Sequence, residues 1–414
     1  MSPLSSRLRP FALALAGSAA LAVSLLPPAA QAADRVDVKR NTTVVIDGKG
    51  YGHGKGLSQY GAQGAAREGR THREIAEFYY PGTSWGSVKG QVKVRISRAT
   101  SSDLVVRSRD RLRIRAVNAK QTWMLPDNGA QLWRLTTNRR NRTVVQFQRP
   151  GARWKRYAAF SGVGQFGAAG RPITLVTPSG DVAYRGRLRA AAPVKGSRQR
   201  ETVNLVSMEN YLRGVVPLEM PASWHPEAVR AQAVAARTYA TYERNHPLAR
   251  HYQICDTTQC QVYGGASAEH PLSDDAIRAT ARQILTHDGE AAFTQFGSSN
   301  GGWTAAGSMP YQVAQPDPWD GWSGNPVHDW QVRFTRAEIE QTWPEIGTLQ
   351  RVRVRSRTGH GEYGGRVVAI SLVGSDRTLD LTGDDVRSAL GLRSNWFDLS
   401  ALTPSRRTAR SSVR

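Results

Sequence analysis

The chain reads as an α+β protein, and three stretches of its sequence carry that reading. Between about 86 and 200, apolar and basic residues alternate with period two; from Pro226 to Arg244, small and apolar residues recur at helical spacing; from about 350 to 399 the alternation returns. A helix-containing core (201–400), flanked by a β-rich region with a cleft between them, is the expected architecture.

In chain order, Arg7 and Arg9 precede an apolar run from Phe11 to Leu26, then Pro27-Pro28 and the small residues up to Ala33. Basic, apolar and small-residue segments in that order read as a secretory signal over 1–33, with cleavage near Ala32 or Ala33. The apolar run is about 16 residues long and stops at two prolines, short of a membrane span. The expected location is therefore secreted, extracellular or wall-associated. About 380 residues remain, enough for two or three domains.

Thr42 to Ile46 is a short β-branched run. It leads into a segment from Asp47 to Gly56 with glycine at nearly every second position, which reads as a shaped loop because so much glycine cannot hold a helix. A helical stretch at Arg73–Phe78 ends at Pro81-Gly82. The segment 34–85 is expected to pack on the core.

In the region 86–200, Val92, Val94 and Ile96 alternate with Lys93 and Arg95, and Leu112 and Ile114 with Arg113 and Arg115. Those are half-buried strands with a basic open face. Further strands are expected around 133–135, 144–147 and 173–176. After 200 come a strand over 203–208, the long helix with Pro226 in its first turn, a second helix over Ser273–Gln283, strands over 351–355 and 367–373, and a short helix over 384–390. Arg406, Arg407, Arg410 and Arg414 mark 401–414 as a basic, disordered tail.

The formal net charge is +23. Such a balance ordinarily raises nucleic acid as a partner, but export argues against it and favours anionic wall polymers such as teichoic acids, or acidic headgroups. An arginine-rich solvated surface is the plainer alternative.

The residue best placed for chemistry is Glu219, in Leu218-Glu219-Met220, boxed by Pro217 and Pro221 just before the long helix. Partial desolvation there would raise its pKa towards the range of a general acid, whereas an ion pair with Arg213 or Arg237 would make it structural. Two cysteines occur, Cys255 and Cys260, with His251 before them. In an oxidising compartment a local disulfide is preferred, worth roughly 2 kcal/mol for so short a loop.

The run from Glu209 to Ala240 resembles the signature of the stage II sporulation protein D family. So do Cys260-Gln261-Val262-Tyr263, Ser298-Ser299-Asn300-Gly301-Gly302-Trp303-Thr304, Pro316-Asp317-Pro318-Trp319-Asp320 and the segments 379–383 and 387–394. The resemblance implies a peptidoglycan lytic transglycosylase that cuts the N-acetylmuramic acid to N-acetylglucosamine bond with one glutamate, which maps onto Glu219. It implies substrate contacts for Arg237, Ser298, Ser299, Gly301 and Tyr263; ion pairing within the core is the alternative for Arg237, and an ordinary turn the alternative for the Ser298–Gly302 loop. Gly50 to Ala62 resembles the family's Gly-His-Gly and Ser-Gln-Tyr-Gly-Ala element and adds His53, Ser58 and Gln59. Here that element precedes the glutamate instead of following it, and Lys55 and Leu57 stand where Val and Met are familiar, so a permuted arrangement is expected. The resemblance also raises zinc on His251, Cys255 and Cys260 as the alternative to the disulfide; otherwise no cofactor is expected. A non-catalytic role, docking on glycan to modify a cell-wall amidase, is the second functional class.

Overall fold

The computed structural model describes residues 35–402. The signal expected over 1–33 and the tail beyond Leu402 lie outside the described residues. The last strand, Phe397–Leu402, carries order two residues into the expected tail. Among the described residues no helix is long and apolar enough to cross a membrane.

Two hydrophobic cores organise the chain. The larger centres on the helix Pro226–Asn245, whose buried residues run through nearly every position from Ala228 to Ala240. A helix whose buried side chains face every direction, polar Gln232, Arg237 and Thr238 among them, must be enclosed on every side. Here the helices Gln59–Arg67, His72–Tyr79, Met208–Arg213 and Pro271–Ala279 and the strand Gln283–His287 surround it. The Pro271–Ala279 helix stops earlier than expected. Thr280 returns its hydroxyl to the Ala276 carbonyl, Arg282 takes a left-handed φ of 67°, and Gln283 already begins a strand.

The same core continues into a sandwich. A seven-stranded sheet runs in the order 254–255, 91–95, 201–207, 187–191, 164–167, 113–116, 121–124, and a six-stranded sheet in the order 155–161, 142–148, 132–137, 104–107, 173–175, 182–184. Ile114, Phe166 and Leu188 of the first sheet and Val106, Trp133 and Leu135 of the second are buried together. The expected boundary at 200 therefore does not separate two bodies, because the strand Glu201–Ser207 pairs with Gln91–Arg95 on one side and Arg187–Ala191 on the other.

The second core joins the two ends of the described chain. Thr43–Lys49 is the middle strand between Asp329–Thr335 and Phe397–Leu402, and Arg35–Asp37 edges a sheet with Leu349–Arg357, Val367–Gly374 and Thr378–Thr382. The strand extends through Asp47 and Gly48, which the sequence assigned to a loop. The Trp330 ring lies where a Cβ on Gly48 would stand, at 2.1 Å, so glycine here serves packing.

Because Ile46, with Val36, Val38 and Val44, is buried in a lobe whose other core residues lie between Trp330 and Phe397, Ile46→Ala should destabilise the protein by about 2–5 kcal/mol. Hydrogen exchange should quicken first in Asp329–Thr335 and Phe397–Leu402, before the long helix.

Candidate functional site

Glu219 ends a short helix, Val216–Glu219, after which the backbone turns extended at Met220. Ser207 caps the preceding helix by accepting from the Asn210 N–H, so the approach is rigid from the strand onward. Leu218 is exposed and Met220 buried, which leaves the Glu219 carboxyl at the rim, half out of water. The Val262 N–H donates to its Oε1 at 2.9 Å, and the Gln59 side chain donates as well. Burial raises its pKa and these two hydrogen bonds pull it partly back, the balance lying above the ordinary carboxylate value.

Gln59 arrives from the far end of the sequence. Leu57–Ser58 pairs in parallel with Phe296–Gly297, and the Tyr60 N–H donates to the Ser298 carbonyl at 2.9 Å. Ser58 caps the helix Gln59–Arg67 by accepting from the Gly61 N–H and donates its own proton to Asp320. The glutamine-bearing element that the sequence sets before the glutamate thus folds onto it. Beside Gln59, Tyr60 meets the Trp224 ring edge-on at 4.8 Å and lies 6.4 Å from Trp322. This aromatic rim was missed from the sequence, although Trp224 follows Glu219 by five residues and Tyr60 adjoins Gln59.

The other expected contacts separate into two groups. Ser298 and His53 are half-buried beside the Gln59 element. His53 accepts from the Lys55 N–H through Nδ1; burial, then the nearby Lys55, Arg366 and Arg387 charges, lower its pKa to about 4, so the ring is neutral. Gly301 is buried, and its N–H donates to Asp320. The structure turns the side chains of four other expected contacts inward. Arg237 is fully buried, paired with Glu209 at 2.9 Å and donating to the Ile277 and Gln283 carbonyls. Tyr263 is buried, its hydroxyl donating to Asn204. Ser58 and Ser299 both give their protons to the buried Asp320.

Neighbouring carboxylates are also committed. Glu209 holds Arg237 and the Arg282 N–H; Glu227 accepts from the His72 N–H and pairs with His72 and Arg230. Cys255 and Cys260 are joined by a disulfide. His251 turns its Nε2 to Glu201. No thiolate is left for zinc in that arrangement, and the residues do not fit a zinc site. The disulfide pins the loop that ends in Val262, the donor to Glu219.

The folded pKa of Glu219 lies above its unfolded value, so its stabilising contribution is full below about pH 4.3 and is lost as pH rises through the folded pKa. Glu219→Gln keeps an acceptor for Val262 and should unfold at the same or a higher temperature than the parent at neutral pH, the difference closing in acid. Arg237→Met, by removing the partner of Glu209 and the donor to the Ile277 and Gln283 carbonyls, should cost about 2–4 kcal/mol in urea denaturation.

Residues 197–287, which contain Glu219, Arg237 and both cysteines, match the family model described as stage II sporulation protein. The amidase enhancer of Bacillus subtilis (strain 168) is 39% identical over 135 residues, 31% of this chain and 17% of that protein. The stage II sporulation protein D of the same organism is 32% identical over 223 residues, 48% of this chain and 62% of the relative. The Bacillus amyloliquefaciens stage II sporulation protein D is 29% identical over 224 residues. The chain therefore spans about a sixth of the first relative and less than two thirds of the second. The chain thus carries a stage II sporulation protein domain over residues 197–287 and is similar to stage II sporulation protein D over about half of its length.

Proposed function

We propose that this protein is exported and acts on the glycan strands of peptidoglycan as a lytic transglycosylase, with Glu219 as its single acid and base. The observation that carries the reading is the state of Glu219: a half-buried carboxyl with a raised pKa, held by the Val262 N–H and Gln59, and paired with no cation among the described residues. Protonated, it gives its proton to the glycosidic oxygen as the bond from C1 breaks. The carboxylate so formed takes the proton of the muramyl C6 hydroxyl as that oxygen closes on C1, so no water is consumed and an anhydro end results. Hydrolysis would ordinarily call for a second carboxylate across the bond. Glu209 and Glu227, the nearest in sequence, are held in ion pairs. Tyr60, Trp224 and Trp322 would offer ring faces to the apolar faces of the sugars, and Ser298 a hydroxyl to their N-acetyl groups.

A second reading has its own support, since one relative is named an amidase enhancer. In it the same surface docks on glycan and alters the action of a separate amidase, without cleavage.

Mass spectrometry of purified glycan strands, with and without stem peptides, separates the two. Anhydro ends should appear with the parent and fall by about 100-fold or more with Glu219→Gln; binding without cleavage by both proteins would favour the second reading. The active form carries the proton, so the rate should decline as pH rises through the Glu219 pKa. Gln59→Ala removes a hydrogen bond that favours the charged form and should move that decline to higher pH.

A further inference from the structure

The β-rich region carries almost all of the protein's charge. From 86 to 200 the sequence has 25 lysines and arginines against four acidic residues, a surplus of 21 out of a net +23. The fold gathers part of that surplus on one face. In the seven-stranded sheet, Gly167 has Arg113 and Arg187 as its partners on either side, and Gln165 has Arg115 and Arg189. All six share the open face, since Ile114, Phe166 and Leu188 between them are buried on the other.

The result is a square of four arginines. Its side along the strands is about 7 Å and its side across them about 10 Å, from the rise and spacing of strands. Gly167 and Gln165 floor it, and a groove of about 420 Å³ opens over them. No carboxylate pairs with any of the four among the described residues. Their polar side-chain contacts are neutral: Arg115 to Thr122, Arg187 to Gln91, and Arg189 to Gln165. Like charges on adjacent strands destabilise one another. Arg189 is disfavoured by burial first and then by the Arg187 and Arg115 charges. Arg113, Arg115 and Arg187 line the groove, with Arg189 laid over Gln165 beside it, and a folded sheet that holds four guanidinium groups without a carboxylate partner is poised for an anion of matching length.

We propose that this face binds a linear phosphodiester-linked polyol, an anionic polymer of the cell wall, with successive phosphates along the strand direction between the two arginine pairs. Extended chains of this kind repeat their charge at a spacing close to that of alternate residues on a strand. No aromatic ring lines the groove, so it offers nothing on which a nucleobase could stack, the usual partner of basic side chains in single-strand binding. The proposal rests on export of the chain and is independent of Glu219. The face would hold the protein on the wall whether Glu219 cuts glycan or not.

Gly167 provides a clean test. Its φ is not left-handed, and a Cβ would meet only the Arg187 side chain, at 3.6 Å, so Gly167→Glu should fold normally and place a carboxylate among the arginines. Fluorescence anisotropy with labelled poly(glycerol phosphate) would compare the parent, Gly167→Glu and the double variant Arg113→Ser/Arg187→Ser. Arg353→Ser/Arg355→Ser removes equal charge from the sheet Leu349–Arg357 and serves as control, and thermal unfolding checks each fold. Both groove variants should bind at least tenfold more weakly than the parent, and the control should match the parent. If two phosphates are neutralised, one at each arginine pair, binding should weaken about 7-fold between 50 and 200 mM salt. Equal binding by all variants would show diffuse attraction only and overturn the proposal, as would preferential capture of an oligothymidylate of matched charge. Cleavage of polymer-free glycan, if present in the parent, should be unchanged in Gly167→Glu, which keeps this outcome apart from the fate of Glu219.

Discussion

A single buried carboxylate, Asp320, ties together segments that are distant in the chain. It accepts from Ser58 at 2.5 Å, from Ser299 at 2.7 Å, from the backbone N–H groups of Asn300 and Gly301, and from Asn325, and it pairs with His328 at 2.8 Å. Burial alone would push its pKa up, but hydrogen bonds from His328, Ser58 and Ser299 more than offset that, leaving it below the ordinary value. A charge in the interior persists only when its lone pairs are satisfied in this way. By drawing Ser58 to one oxygen and Ser299 to the other, Asp320 holds the helix that starts at Gln59 against the loop that starts at Ser298, and so sets Gln59 beside Glu219.

Asp317 supports the same junction from the other side. It accepts from Tyr79 at 2.6 Å and from the Asn300 amide at 2.7 Å, and its pKa is pushed up to about 6, first by burial and then by the Asp320 charge. Arg366 reaches in from the second core, donating to the Gly52 and Asn300 carbonyls, with its guanidinium packed where a Cβ on Gly54 would lie. The glycine-rich segment is thus the seam between the two cores. Its lack of side chains lets three polypeptide segments approach there.

The two functional proposals occupy different parts of the fold and rest on opposite electrostatics. Around Glu219 nearby charges are largely neutralised in pairs such as Arg237 with Glu209 and Arg230 with Glu227, which leaves one carboxyl governed by desolvation. On the open sheet Arg113, Arg115, Arg187 and Arg189 have no carboxylate partner among the described residues, and their field extends into solvent. Under the two proposals the division would separate the tasks, the basic face holding an anionic polymer and the Glu219 rim meeting the glycan.

Much of this was legible in the sequence wherever a local pattern carried it. Period-two alternation placed the strands around 92–96 and 112–115, and the small-residue stripe behind Pro226 placed the long helix to within a residue. Glu219 stood out because its apolar, proline-bounded setting is itself local. The roles of Arg237, Ser58, Ser299 and Tyr263 were not legible. A hydroxyl or guanidinium that holds substrate and one that satisfies a buried partner are the same residue type, and only the long-range pairings with Glu209, Asp320 and Asn204 tell them apart. The arginine square was equally hidden: each strand showed its own basic alternation, but register between strands is set by packing of the opposite face. The sequence by itself determined the elements and the chemically distinctive glutamate; the tertiary structure decided which polar groups face inward and which charges stand together, because both depend on contacts between residues far apart in the chain.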